Sequence, residues 1–265
     1  MIKGKNLIII LVIILLVSCS RVPITNRNQF KMLPDTYMMS LSATNYKGFL
    51  SQNPALPASN ANTTMVKNVG NNISSAITTF LKSKGHQKRI KNFKWEFNLV
   101  RNNAVNAWCM PGGKIVFYSG ILPFTKDADG IAVVMGHEMA HAVAKHGNER
   151  MTQQLAIVLG GISLQVAMKE KPEQTRNIFL TAYGVGSTLG TLAYSRKHEY
   201  EADKLGMVFM AMGGYDPANC ISFWERMASK GGTKPPEFLS THPSDTKRIA
   251  EMKKFLPQAK KYYKK

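Results

Sequence analysis

Apolar residues recur at helical spacing over residues 63–84, where Val66, Val69, Ile73, Ala76, Ile77, Phe80 and Leu81 share one face. The pattern predicts an amphipathic helix stopped by Gly85, with its Asn and Thr side chains solvated. The period then changes to two. Phe93, Trp95, Phe97 and Leu99 alternate with polar residues and predict a strand over 93–100. Second and third strands follow over 103–110 and 114–119, joined by the turn Pro111-Gly112-Gly113. From Gly130 to about His146 the residues are mostly small or apolar, which predicts a buried helix, and Asp127 and Asp129 suit the dipole at its start. Glycine-interrupted apolar runs over 155–159, 162–168 and 175–194 read as closely packed core helices. They are shorter than the roughly twenty residues a membrane span needs, and a membrane-contacting hairpin is the weaker alternative. A dense polar patch over 195–206 leads into another apolar run. Two more helices carry Ile221, Trp224 and Met227, then Arg248, Ile249, Met252 and Phe255.

Residues 21–62 show no such period. They are rich in Pro, Asn, Ser and Thr and read as a tether and an irregular segment, with a short helix near 51–60. Ahead of them, Lys3 and Lys5 precede an apolar run over 7–17, the layout of a secretory signal. Its ending, Leu16-Val17-Ser18-Cys19, resembles a bacterial lipobox, which implies cleavage before Cys19 and a lipid anchor on it. Several acyl chains on one cysteine suffice for stable anchoring. The two other cysteines, Cys109 and Cys220, lack metal-ligand spacing and read as small buried hydrophobes.

Charge narrows the partners. The 265 residues carry a formal net charge of +19, part of it at the ends, which suggests an anionic neighbour such as nucleic acid or a membrane surface. No nucleic-acid module is visible, and the N-terminus favours the membrane. Internal repeats, a phosphate-cradling loop and a nucleophile elbow are likewise absent from the sequence.

The chemistry concentrates in Gly136-His137-Glu138-Met139-Ala140-His141. Residues four apart on a helix lie one above the other, so His137 and His141 can aim two imidazoles at one Zn²⁺. Glu138 reaches a water there without binding the metal. In the polar patch, Glu199 and Asp203 share a helix face, suited to a third ligand and a carboxylate accepting from a ligand histidine. Lys197, Lys204 and Glu201 read as solvated. The strand bearing Asn106, Ala107 and Trp108, just before the metal helix, suits an edge that holds an extended peptide by β-augmentation.

These motifs, with Gly214-Tyr215-Asp216-Pro217 and Ser240-Thr241-His242-Pro243 followed by Arg248, resemble peptidase family M48, in particular its exported bacterial lipoprotein and mitochondrial Oma1-like branch. The resemblance spans about residues 65–255. It implies an α+β fold, mostly helical, a zincin-like metalloprotease domain with a small β-sheet and an edge strand. It implies one Zn²⁺ per chain on His137, His141 and Glu199, Glu138 as catalytic carboxylate, and Asp203 as partner of a ligand histidine. His242 would lie near the metal, either steadying the oxyanion or filling a fourth zinc position, and Arg248 would pair with a carboxylate. His86, His146 and His198 match no ligand position and read as ordinary. The expected layout is a signal peptide over 1–18, a lipid-anchored segment over 19–62, a peptidase domain over 63–256 and a basic tail over 257–265. The expected function is an envelope endopeptidase, facing the periplasm, that cleaves unfolded or misassembled proteins. The alternative is an envelope chaperone using the same groove.

Overall fold

A hairpin and a long helix occupy part of the segment that reads as a tether. Strands β1 (Cys19–Arg21) and β2 (Asn28–Phe30) pair antiparallel, with Arg21 opposite Asn28. Helix α1 (Asp35–Gln52) follows. The irregular segment expected over 19–62 is thereby corrected. So is the short helix near 51–60, where the chain leaves α1, turns and bridges Ala55 to Val100. The buried stripe of α1 is Met38, Ser42, Asn45 and Tyr46. Its spacing is helical, but half of it is polar, so an apolar period does not reveal it.

The structure, a computed structural model, describes residues 19–158, 172–182, 195–229, 236–242 and 246–263. The expected signal peptide, the apolar stretches over 162–168 and 183–194, and Pro243 lie outside the described residues.

Helix α2 (Ala61–Ser83) is capped by Asn60, whose side chain accepts from the N–H groups of Asn62 and Thr63. It buries the predicted Val66, Val69, Ile73, Ile77, Phe80 and Leu81. Strands β3 (Glu96–Val100), β4 (Ala107–Met110) and β5 (Lys114–Tyr118) form one sheet in the order β3-β5-β4. β5 runs parallel to β3 and antiparallel to β4. The turn between β4 and β5 places Gly112 and Gly113 at φ of 82° and 81°, a region that favours glycine.

A short helix α3 (Leu122–Thr125) leads to α4 (Ala128–Ala144), whose N-cap Asp127 accepts from the Gly130 N–H. Then come α5 (His146–Val158), α6 (Pro172–Ala182), α7 (Arg196–Met212), α8 (Asn219–Ser229), α9 (Glu237–Thr241) and α10 (Thr246–Lys260). Among the described residues no helix is long and apolar enough to cross a membrane.

Alternation along the strands divides the interior in two. Phe97, Leu99, Ala107, Cys109, Ile115 and Phe117 join a core with α2, α4, α7 and α8. Val100, Trp108, Met110, Val116 and Tyr118 join a second core with Met38, Tyr46, Met151 and Phe179. The sheet is thus covered on both faces, and β4 lies at its edge beside α4.

Candidate metal centre

Helix α4 sets His137 and His141 one turn apart, with their Nε2 atoms 3.0 Å from each other. Helix α7 crosses α4 at two glycines. A Cβ on Gly136 would meet the Gly206 carbonyl at 2.9 Å, and a Cβ on Gly206 would meet the His137 nitrogen at 2.9 Å. This backbone contact brings Glu199 and Asp203, about two turns and one turn before Gly206, against the histidines. Glu199 Oε2 lies 3.4 Å from His137 Nε2, and Glu199 Oε1 lies 3.4 Å from His141 Nε2. His242, just past α9, puts Nδ1 3.1 Å from both His137 Nε2 and Glu199 Oε1.

Ligand atoms of His137, His141, Glu199 and His242 therefore converge, all within 4.8 Å of one another, with close contacts of 3.0–3.4 Å that use both Glu199 oxygens. Tetrahedral Zn²⁺ with bonds near 2.0–2.1 Å holds its ligand atoms about 3.3 Å apart. The donor set, three imidazoles and a carboxylate, suits such an ion. Glu138 Oε1 is buried without a hydrogen-bond partner, 3.3 Å from His242 Nε2, as expected of an atom aimed at a solvent position inside the site. The residues present fit a metal.

Electrostatics agree. Burial alone would raise the Glu199 carboxyl, but the neighbouring His242 imidazole, the Arg248 guanidinium and bonds from His137 and His141 outweigh it and hold it well below the usual carboxylate range. Asp203 is also held low: Arg248 outweighs burial, donating from Nε at 2.6 Å and Nη2 at 2.7 Å in a bidentate fork. Burial disfavours a charged His137, yet its bonds to Asp203 and Glu199 raise it to about 9. Burial pushes His141 well down and His242 down to about 4, leaving both as the neutral imidazoles that bind metals. Burial lifts the Glu138 carboxyl to about 8, opposed by His137 and by a bond from the Cys109 N–H.

Asp203 meets a candidate ligand histidine, as its place on the helix face suggests, and Arg248 meets the carboxylates, as the resemblance implies. Asp203 Oδ1 accepts from His137 Nδ1 at 3.1 Å, and Arg248 also reaches Glu199 Oε2 at 2.9 Å while its guanidinium stacks 3.7 Å from the Trp224 ring centroid. Cys109 and Cys220 are both free and buried.

The edge strand is where expected but covered. Asn106, Ala107 and Trp108 are each 1% exposed. The Tyr118 N–H bonds to the Asn106 carbonyl, so Ala107 and Cys109 turn their backbone groups away from β5. Asn106 Oδ1 takes the Ala107 N–H, and Glu138 takes that of Cys109. The side chain of Trp108 points into the second core, edge-on to Phe49 with Nε1 donating to Tyr118.

Three expectations fail. Glu201 is not solvated: it is 4% exposed and bonded to Arg27, Thr25 and His146. His146 and His198 are not ordinary: they stack with centroids 4.4 Å apart, buried directly behind His141. His146 reaches His141 because α4 ends at Ala144 and Lys145 takes φ of 59°, folding the chain back. Nothing in the sequence marks that break, since the left-handed residue is not a glycine. His86, read as ordinary, is exposed.

A family model described as peptidase family M48 matches residues 70–256. The chain is 33% identical to the mitochondrial metalloendopeptidase OMA1 of Schizosaccharomyces pombe, over 90% of this chain and 66% of that protein. It is 30% identical to the mitochondrial metalloendopeptidase OMA1 of Saccharomyces cerevisiae, over 92% of this chain and 70% of that protein. It is 28% identical to the beta-barrel assembly-enhancing protease of Escherichia coli K12, over 66% of this chain and 38% of that protein. The chain thus spans about two thirds of the two yeast relatives and well under half of the third.

Proposed function

The chain belongs to peptidase family M48, and from that premise we propose that it is a zinc-dependent endopeptidase of a bacterial cell envelope. It would cleave unfolded or misassembled polypeptides. One observation carries the reading: His137, His141 and Glu199 converge on a single point beside the unpartnered Glu138 Oε1.

Zn²⁺ bound at that point would supply a Lewis acid that acidifies water and polarises a carbonyl. Around it the chain's own residues divide the work. Glu138 accepts the proton of the attacking water and returns it to the leaving amine. Asp203, clamped by Arg248, keeps the His137 proton on Nδ1, so that Nε2 faces the site. Ala107 and Cys109 carry the outward backbone groups of β4 and would pair with an extended substrate once α9 moves aside. At present α9 is tied there by the Phe238 N–H on the Val105 carbonyl, and Asn106 bonds to Glu237. A folded protein has no free extended segment to offer such an edge, which favours unfolded substrates.

The seat of His242 supports the fourth-ligand reading over the oxyanion reading. With four protein ligands and a covered edge, this form is the resting one. The envelope location, a lipid anchor on Cys19 and a periplasm-facing position belong to the same proposal. The apolar run over 7–17, the lipobox-like ending and the basic charge support them, as does the likeness to a beta-barrel assembly-enhancing protease.

The test is zinc content and casein hydrolysis of the chain from Cys19 onward, beside Glu138→Gln. One equivalent of zinc in both, with cleavage in the parent alone, is expected. Absence of zinc from both would refute the reading. A Glu138→Gln variant that keeps full function in cells would favour the chaperone alternative.

A further inference from the structure

We propose that His146, Glu201 and Arg27 form a relay that orients His141, making the N-terminal hairpin part of the metal-holding machinery. The inference rests on the reading of His141 as a zinc ligand. It concerns residues to which the motif assigns no role, one of them, Arg27, outside the stretch matched by the family model.

Hydrogen-bond direction can be read along the relay. His141 turns Nε2 to the site, so its proton sits on Nδ1, which lies 2.9 Å from His146 Nδ1. His146 Nδ1 must then accept, which leaves its proton on Nε2, 2.8 Å from Glu201 Oε2. Glu201 is held in turn by Arg27 Nε at 2.7 Å and by the Thr25 hydroxyl. The two ligand histidines thus have parallel supports. His137 leans on Asp203 and Arg248 directly, and His141 leans on Glu201 and Arg27 through one extra imidazole. Partners of this kind fix the tautomer and ring orientation of a ligand histidine.

A second set of contacts holds the relay in register. His198 stacks on His146, and its Nε2 lies 3.0 Å from Glu149 Oε2. Arg27 forks onto both oxygens of Glu149 at 2.9 and 2.7 Å. His146, Glu149 and His198 come close enough to suggest a second metal site, but the guanidinium fills the carboxylate's coordination positions with positive charge. The cluster is a support.

The test compares zinc affinity, by competition with a chromophoric chelator, and the absorption spectrum of the Co²⁺-substituted protein. The chains are the parent, His146→Phe, Glu201→Gln, Arg27→Met and Asn148→Ala. Phe keeps the stack on His198 and removes the acceptor. Asn148 is buried and bonds to the Leu33 carbonyl without touching the relay, so it reports a general loss of packing. His146→Phe and Glu201→Gln are expected to weaken zinc binding about 10–100-fold and to alter the Co²⁺ spectrum. Arg27→Met should do so less, and Asn148→Ala should match the parent. Arg27 is 26% exposed, so its variant decides the matter if the buried ones fail to fold. Parental affinity and spectrum in the folded relay variants would overturn the relay alone. A loss in Asn148→Ala as large as in Arg27→Met would overturn it too. A parent that binds no zinc would overturn the metal-centre reading as well.

Discussion

Gly136 and Gly206 bring two helix backbones into contact, each lacking the Cβ that would otherwise meet the other helix at 2.9 Å. Everything the site needs from α7 depends on that approach. Glu199 and Asp203 are short side chains, and separating the helices by the width of a methyl group would take both out of reach of His137.

Gly206→Ala is therefore expected to cost about 1–3 kcal/mol as an overpacked contact and to lose most of its zinc. The atoms met are His137 N at 2.9 Å and Gly136 C at 3.0 Å, backbone that cannot rotate away. Urea unfolding and metal content of the purified variant check it. A stable, zinc-replete Gly206→Ala would show that the helices can part without harm.

Arg248 is 1% exposed and neutralises Asp203 and Glu199 together. Arg248→Met leaves two buried carboxylates facing each other and is expected to cost about 3–5 kcal/mol. Arg248→Lys keeps the charge but cannot fork, so it should recover only part of the loss. Unfolding midpoints of the metal-free proteins measure both.

The metal helix and its partner carboxylates were legible because their logic is local: two histidines four apart, and Glu199 and Asp203 four apart. The support behind His141 was not. Read as one continuous helix, His146 lies about 140° around the axis from His141. Only the break at Lys145 turns it back, and that break is not marked by glycine. Glu201 points away from the metal face of α7, as its spacing says, but toward the hairpin instead of water. The hairpin itself was hidden by composition, and so was α1, whose buried stripe includes Ser42 and Asn45. The distant pairings Arg27–Glu201 and Arg248–Asp203 join elements far apart in sequence. Arg248 was paired with a site carboxylate only by resemblance, and periodicity gives no sign of either contact.

Asp35 opens α1 and pairs with Lys145, tying the helix to the end of α4. Burial would raise its carboxyl, but the bond to Lys145 outweighs it, so the folded value lies below 3.8. A carboxyl depressed by folding adds stability that is present above pH 3.8 and fades as pH falls through and below that value. Burial also lowers Lys145 by more than Asp35 returns, so the net benefit of the pair is small. The parent should unfold at higher urea than Asp35→Asn at pH 7, and the gap should close below pH 3.8. A gap that persists in acid would mean that Asp35 acts through packing or capping and not through charge.

His242 offers the sharpest test of how the site is switched. Its Nδ1 lies 3.1 Å from His137 Nε2 and from Glu199 Oε1, as a fourth metal ligand would, and its Nε2 lies 3.3 Å from Glu138 Oε1. An imidazole there takes the position a substrate carbonyl must enter, and it shields Glu138 from water. Hydrogen bonds from His242 to a developing oxyanion would instead require the ring to stand back from the ligand atoms. His242→Ala is accordingly expected to keep its zinc, since His137, His141 and Glu199 remain, and to hydrolyse casein faster than the parent. A fall confined to the apparent KM would indicate a larger fraction of open enzyme, because a closed molecule binds no substrate while saturating substrate draws every molecule into the open form. The double variant His242→Ala with Glu138→Gln should bind zinc and be inactive, which ties the gained activity to Glu138. If His242→Ala keeps zinc and loses activity, the ring serves the transition state, and the resting geometry must open before His242 takes up that role.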